Sequence, residues 1–215
     1  MYTTWAQENS EGKNPTELYD RGFVFTRRGK GEMDQTRSCR IRLSNFSLSS
    51  ENRRILRKTE GLTLTPLPLP YPNYEWSIHK LGKDFYTEKF GDNTFSANKI
   101  KELMTDTENS NFNRVLTYTE NDSSLPSGYA ICFENESLLH YSYPFYDHIH
   151  LPKDTGLGMM IRAIEYAKEA DKEYIYLGSL SRPTDTYKTQ FAGFEWFDGN
   201  EWQTDITTLK EILND

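Results

Sequence analysis

The chain has 215 residues, a net charge of −7 and two cysteines, Cys39 and Cys132. That length buries one good core, or one core with a small appended domain, and two cysteines make no disulfide framework. No apolar run approaches the roughly 20 residues that cross a bilayer, so no membrane partner is expected. The first ten residues, MYTTWAQENS, show neither a basic region nor the apolar stretch of a signal peptide. A reduced, cytoplasmic setting is therefore expected.

The charge is unevenly spread. Residues 21–60 carry 11 Lys and Arg against 4 Asp and Glu, and the remainder carries 14 against 28. An acidic protein is a poor general binder of polyanions, and DNA is not an expected partner, yet a local basic face can neutralise several phosphates. The plain alternative is a solvated face.

In chain order, residues 1–15 lack a periodic pattern and are expected to be frayed. Residues 23–25 and 40–43 alternate apolar and polar side chains as strands do. Ser49-Ser50 then opens a helix over 51–58, with a serine N-cap and basic residues in its last turn. Prolines at 66, 68, 70 and 72 cannot continue a helix and favour extended chain. They predict a boundary between a basic N-terminal subdomain, 16–66, and a second domain, 73–215. Beyond it, 76–90 and 97–104 read as helices, and 113–119, 129–133 and 138–146 as successive strands separated by turn residues. Apolar side chains at 157, 160, 161 and 164 recur at i, i+3, i+4 and i+7, which buries one helical face. Residues 173–177 read as a strand, 184–191 as a short helix and 193–203 as a hairpin about Asp198-Gly199. This order predicts an α/β (α+β) architecture, a GNAT-like acyltransferase fold with a mixed, mostly antiparallel sheet flanked by helices.

Two stretches carry candidate chemistry. In Lys153-Asp-Thr-Gly-Leu-Gly158 the glycines at 156 and 158 permit close approach to a ligand, and free amides at a helix start favour an anion. Asp154 sets a negative charge where a pyrophosphate would sit; the plain alternative is an N-cap with packing glycines. Tyr187-Lys188 follows an irregular loop after the strand ending near Gly178. A tyrosine hydroxyl donates to a reacting carbonyl or leaving oxygen, and a lysine holds a phosphate. Packing under the hairpin is the competing account. His148-Ile-His150 alternates as ligands on a strand do, but no cysteine or carboxylate set completes a tetrahedral site, so no metal is expected.

These landmarks resemble the arginyl-tRNA–protein transferase family over about residues 16–203. Leu18-Tyr-Asp-Arg-Gly-Phe23, Cys39-Arg-Ile-Arg42, Phe46 and Asn52-Arg-Arg54 are similar to its N-terminal region. Tyr143-Pro-Phe-Tyr-Asp147, Thr155-Gly156, Arg162-Ala-Ile-Glu165, Tyr176-Leu-Gly178 and Tyr187-Lys-Thr-Gln-Phe191 through Glu195 are similar to its catalytic region. The family's N-terminal cysteine cluster is represented by Cys39 alone, and Phe133 or Glu134 falls where the family has a strand aspartate.

The resemblance implies aminoacyl transfer, in the manner of N-degron enzymes, from a charged tRNA to a protein or peptide N-terminus, with no cofactor. Tyr187, Lys188, Asp147 and Glu195 are the implied catalytic group. Glu134, Tyr176, Gly178, Ser179, Gly156 and Arg162 would contact substrate, and Arg40, Arg53, Arg54 and Arg57 would contact tRNA. The alternatives are a GNAT acyltransferase using acetyl-CoA or another acyl-CoA on an amine, and a catalytically silent RNA-binding module.

Overall fold

A computed structural model describes residues 4–214. Strands β1 (Thr4–Asn9), β2 (Phe23–Phe25) and β3 (Glu32–Thr36) form a small sheet in the order β1-β3-β2. Residues 4–9 are thus paired and not frayed. Their pattern is mostly exposed or half-buried, so no apolar alternation marks them in the sequence. Helix α1 (Pro15–Asp20) starts where the Asn14 side chain accepts from the Thr16 amide and Pro15 supplies a preset φ.

The main sheet holds β4 (Ser38–Arg42), β5 (Leu62–Pro68), β6 (Arg114–Glu120), β7 (Gly128–Glu134), β8 (Leu138–Tyr146), β9 (Tyr174–Ser179), β10 (Phe194–Phe197) and β11 (Trp202–Gln203). Their spatial order is β11-β10-β4-β9-β8-β7-β6-β5, antiparallel throughout except for β8 beside β9. Residues 16–66 therefore give this sheet one interior strand, β4, and most of one edge strand, β5, so the sheet runs across the boundary read from the prolines. Pro66 and Pro68 lie on β5, where one side of the strand needs no ladder partner.

Helix α2 (Ser50–Lys58) opens with a reciprocal capping box between Ser49 and Asn52. Helices α3 (Trp76–Phe90) and α4 (Ala97–Thr105) pack on one face of the sheet, and α5 (Thr155–Glu169) with α2 on the other. The alternation of strand side chains enforces this division. Phe145 meets α3 at Gly82, and the next residue, Tyr146, meets α5 at Gly156. A run of 3₁₀ turns over Pro183–Gln190 and helix α6 (Ile206–Asn214) complete the chain.

One irregularity positions everything that follows. Strands β8 and β9 pair only from Leu138–His140 to Tyr174–Tyr176. Just beyond, β8 carries an extra residue, Ser142, between the partners of Cys132 and Ile131. On its other side β9 shifts register against β4 between the partners of Arg40 and Ser38, and Gly178 supplies a φ of 80° there. Bulges bend strands and deepen twist, so the two strands part into a fork.

Candidate active site

The fork opens a cavity of about 700 Å³. Aromatic side chains form much of its wall: Tyr86 and Phe90 from α3, Tyr141, Tyr143 and Tyr146 from β8, and Tyr187. Arg27, Lys89, Lys153, Arg182 and Lys188 bring positive charge to it. The acidic lining residue, Asp185, is engaged already, because Oδ2 accepts from the Ser181 and Arg182 amides at 2.9 Å each. A chain with a net charge of −7 thus keeps a cationic cleft. Such a cleft draws in anions and focuses field lines on them.

Lys188 sits at the crotch of the fork. It is only 8% exposed, and Nζ donates to the Ser179 carbonyl at 3.1 Å. Burial first, and the charge of Lys188 second, push the pKa of His140 down to about 3. The imidazole is therefore neutral, and its Nδ1, 2.8 Å from the Tyr19 hydroxyl, is placed to accept from it. Tyr187 is 45% exposed as a residue, but its phenol lies deeper. Burial raises its pKa, and its own field contributes to raising those of Tyr86, Tyr141 and Tyr146. It is a neutral hydroxyl surrounded by other phenols, suited to hydrogen bonding and not to carrying charge.

Of the residues read from the sequence, Tyr187, Lys188 and Gly156 line this cleft. Gly156 does so without a free amide, since its N–H bonds the Tyr146 hydroxyl, and a Cβ there would meet that oxygen at 2.9 Å. Beside it, Asp154 occupies the N-cap position of α5 and pairs with Lys58 at 2.9 Å. The helix start is thus no open anion cradle. Ser179 contributes its carbonyl to Lys188 while its hydroxyl bonds Thr36 at 2.6 Å, and Gly178 supplies the bulge.

Several expected site residues lie outside the lining of this cleft and are engaged in ion pairs and hydrogen bonds. Glu195 is 7% exposed and accepts from Arg40 Nε at 2.7 Å and from Arg42 Nε at 2.8 Å. Arg40, expected on the tRNA side, is buried at 4% exposed. Its guanidinium carbon lies 3.8 Å from the Tyr174 ring centroid and 3.9 Å from that of Trp202, and it donates to the fully buried Tyr176 hydroxyl at 3.1 Å. Glu134 is held by Arg114 at 2.5 Å and by Lys172 at 3.4 Å and accepts from Tyr166, with no access to the cleft. Arg162 ties α5 to the end of α2 through the Thr59 carbonyl and hydroxyl, and burial lowers its pKa. Asp147 closes the turn after β8 by accepting from the Ile149 and His150 amides and pairing with His150 Nδ1 at 2.8 Å.

Arg53 and Arg57 stand exposed on α2, and Arg54 pairs with Glu51 there. His148 Nε2 lies 2.5 Å from Glu88, and among the described residues no cluster of three or more His, Cys, Asp or Glu is arranged to hold a metal ion. Tyr86, Phe90, Arg27 and Arg182 were missed as lining residues. Tyr143, Tyr146 and Arg182 fall within stretches that the sequence reading had marked, whereas nothing in the periodicity marks Arg27.

No protein-family model matches the chain. Among curated proteins it is similar to the aspartate/glutamate leucyltransferase of Ruegeria pomeroyi, with 26% identity over 211 residues, covering 94% of this chain and 76% of the relative. The protein of the same name from Saccharophagus degradans is 22% identical over 170 residues, covering 78% of this chain and 70% of its own. That from Cereibacter sphaeroides is 25% identical over 217 residues, covering 94% and 75%. The relatives are named for leucine, where the sequence resemblance had pointed to an arginyl family.

Among solved structures, L-PGS from Bacillus licheniformis superposes with a TM-score of 0.51 at 11% identity, covering 93% of this chain and 69% of that one. A GCN5-related glucosamine N-acetyltransferase region of a fungal GH3 β-N-acetylglucosaminidase gives 0.51 at 8%, covering 85% and 21%. At such identities these neighbours speak for fold alone, and that fold is GNAT-like.

Proposed function

We propose that this chain is an aminoacyl-tRNA-dependent aminoacyltransferase that moves leucine from charged tRNA to the N-terminal amine of a protein or peptide whose first residue is acidic. The observation that carries the reading is the fork cleft itself, a cationic and aromatic slot with Lys188 at its base and Tyr187 beside it. Aromatic faces stack the bases of a single-stranded 3′ end, and lysine and arginine on the rim meet its phosphates. Leu157, Met160 and Leu177 add an apolar stretch of wall that suits a leucyl side chain, whereas an arginyl side chain would meet like charge. The name of the relatives, aspartate/glutamate leucyltransferase, supports leucine as the group moved and an acidic acceptor. The acetyl-CoA alternative is disfavoured by Asp154 and by the engaged Gly156 amide, where a pyrophosphate would need free donors.

In this reading the acceptor amine attacks the ester carbonyl that joins leucine to the terminal ribose. A carbon–nitrogen bond forms, the carbon–oxygen bond to the ribose breaks, and one proton passes from the amine to the departing oxygen. The ester is already activated, so alignment and that proton are the tasks that remain. A free α-amine titrates near pH ~8. The cations around the cleft lower that value, because like charges disfavour the ammonium, and so supply the neutral nucleophile. Lys188 stabilises negative charge on the carbonyl oxygen as the tetrahedral centre forms. The Tyr187 hydroxyl relays the proton by accepting from the amine while donating to the ribose oxygen.

The test is a transfer assay with mixed, labelled charged tRNAs and peptides that begin with aspartate. The expected result is peptide carrying labelled leucine, at a rate that falls steeply with salt. Absence of any transferred amino acid, together with acyl transfer from acetyl-CoA to an amine, would replace this reading with the second one.

A further inference from the structure

Arg27 lies in the basic N-terminal segment, just past β2, and its guanidinium reaches the cleft wall. Its neighbour Arg28 turns the other way and is paired with Glu32 at 2.9 Å and with Asp34. Arg27 pairs with no carboxylate among the described residues; it is held by neutral groups. Nη2 donates to the Thr94 carbonyl at 2.5 Å, and the guanidinium carbon sits 4.2 Å from the Phe95 ring centroid and 5.9 Å from that of Tyr143. A stacked guanidinium with one donor anchored is fixed in orientation and keeps other N–H groups for a ligand.

The other cations of the cleft are differently disposed. Lys188 is buried at the crotch and bonded to Ser179, while Lys89, Lys153 and Arg182 are exposed at the rim, where phosphates would pass. Arg27 is half-buried between them. It is also close enough to Tyr86 for its charge to offset part of that phenol's raised pKa, and the same phenol feels Tyr187. Arg27 and the reacting end of the cleft therefore border one common side chain.

We propose that Arg27 is the specificity residue of the cleft, binding the side-chain carboxylate of the acceptor's first residue through its fixed guanidinium fork. The proposal rests on the aminoacyltransferase reading for what happens next, but the carboxylate site is a separate claim. Bidentate geometry favours a planar carboxylate over a carboxamide of the same shape, which is the discrimination an Asp-versus-Asn or Glu-versus-Gln acceptor requires.

The experiment compares peptides beginning with Asp or Asn in two measurements: fluorescence anisotropy of the labelled peptide on the protein alone, and leucine transfer from charged tRNA. Wild type is expected to bind and use the Asp peptide preferentially. Arg27→Gln is expected to lower kcat/KM for the Asp peptide about tenfold to a hundredfold, through KM, and that for the Asn peptide much less, so that the Asp-to-Asn ratio collapses. Arg27→Lys, which keeps the charge and loses the fork, should fall between and serves as the folded control. An Asp-to-Asn ratio that survives Arg27→Gln overturns the proposal, as does a wild type that binds both peptides equally. A loss of tRNA affinity with the ratio intact would reassign Arg27 to phosphate and also overturn it. Arg27-dependent binding of the Asp peptide without any transfer would keep the carboxylate site and remove the transferase reading.

Discussion

Glu195 and His140 show how buried polar residues govern stability around the site. Glu195 stands directly opposite Arg40 in the β10–β4 register and neutralises both Arg40 and Arg42. Removing one member of a buried ion pair leaves its partner without compensation. Glu195→Gln should therefore destabilise the fold by about 3 kcal/mol, read from urea denaturation midpoints. His140 is neutral because its folded pKa is depressed from 6.5 to about 3. The folded state thus binds fewer protons than the unfolded chain in that window, so this contribution is intact above pH 6.5 and is lost as pH falls toward 3. Between pH 7 and pH 5 the loss should reach about 2 kcal/mol, and His140→Gln should flatten that part of the stability–pH curve. Tyr187→Phe tests chemistry instead: kcat should fall about a hundredfold with little change in melting temperature, because the substitution keeps the ring and its packing and removes only the hydroxyl. Equal activity of the phenylalanine variant would assign the proton relay elsewhere. Tyr187 and Lys188 were legible because a motif placed them after a strand end. The pairing of Arg40 with Glu195 was not legible, because the two lie 155 positions apart and nothing local shows that such residues become cross-strand partners.

At the level of elements, the strongly periodic segments were readable and the tertiary devices were not. The β8 strand spans Leu138–Tyr146 as expected, and α5 extends the expected helix by only a few residues, to Thr155–Glu169. The bulge at Ser142 has no sequence signature, because an extra residue in a strand is defined only by its partner. Gly178 was a better clue, since a glycine within a strand pattern signals a bulge or a close approach. The β1 strand and α6 escaped notice: the first is largely exposed, and the second presents only a short apolar face, with Leu209 and Leu213 buried. Helix α2 bears Arg53 and Arg57 on its exposed side, and its Lys58 reaches Asp154, next to Lys153 at the cleft. These elements form a basic path from helix to slot. Arg57→Ala should weaken tRNA binding and reduce the slope of log affinity against log salt by about 1, leaving peptide binding unchanged. A slope equal to that of wild type would leave α2 as a merely solvated face.

For the molecule as a whole, the charge asymmetry of the sequence is carried only in part into the cleft. The basic segment supplies Arg27 to the cleft and the arginines of α2 to its approach, while the remainder supplies Lys89, Lys153, Arg182 and Lys188 together with most of the scaffold. The fold class was legible from element order, but the place of β4 was not, because sheet order is set by long-range pairing. The position of β4, wedged between β9 and β10, also constrains how the chain is made. Arg40 must wait for Tyr176 and Glu195, residues that leave the ribosome 136 and 155 positions later. Until then the early strand has an unfilled hydrogen-bonding edge on each side. Such non-local closure slows folding and prolongs exposure to aggregation, so maturation of this protein should depend on translation reaching its last third and on chaperones that shield the newborn first third.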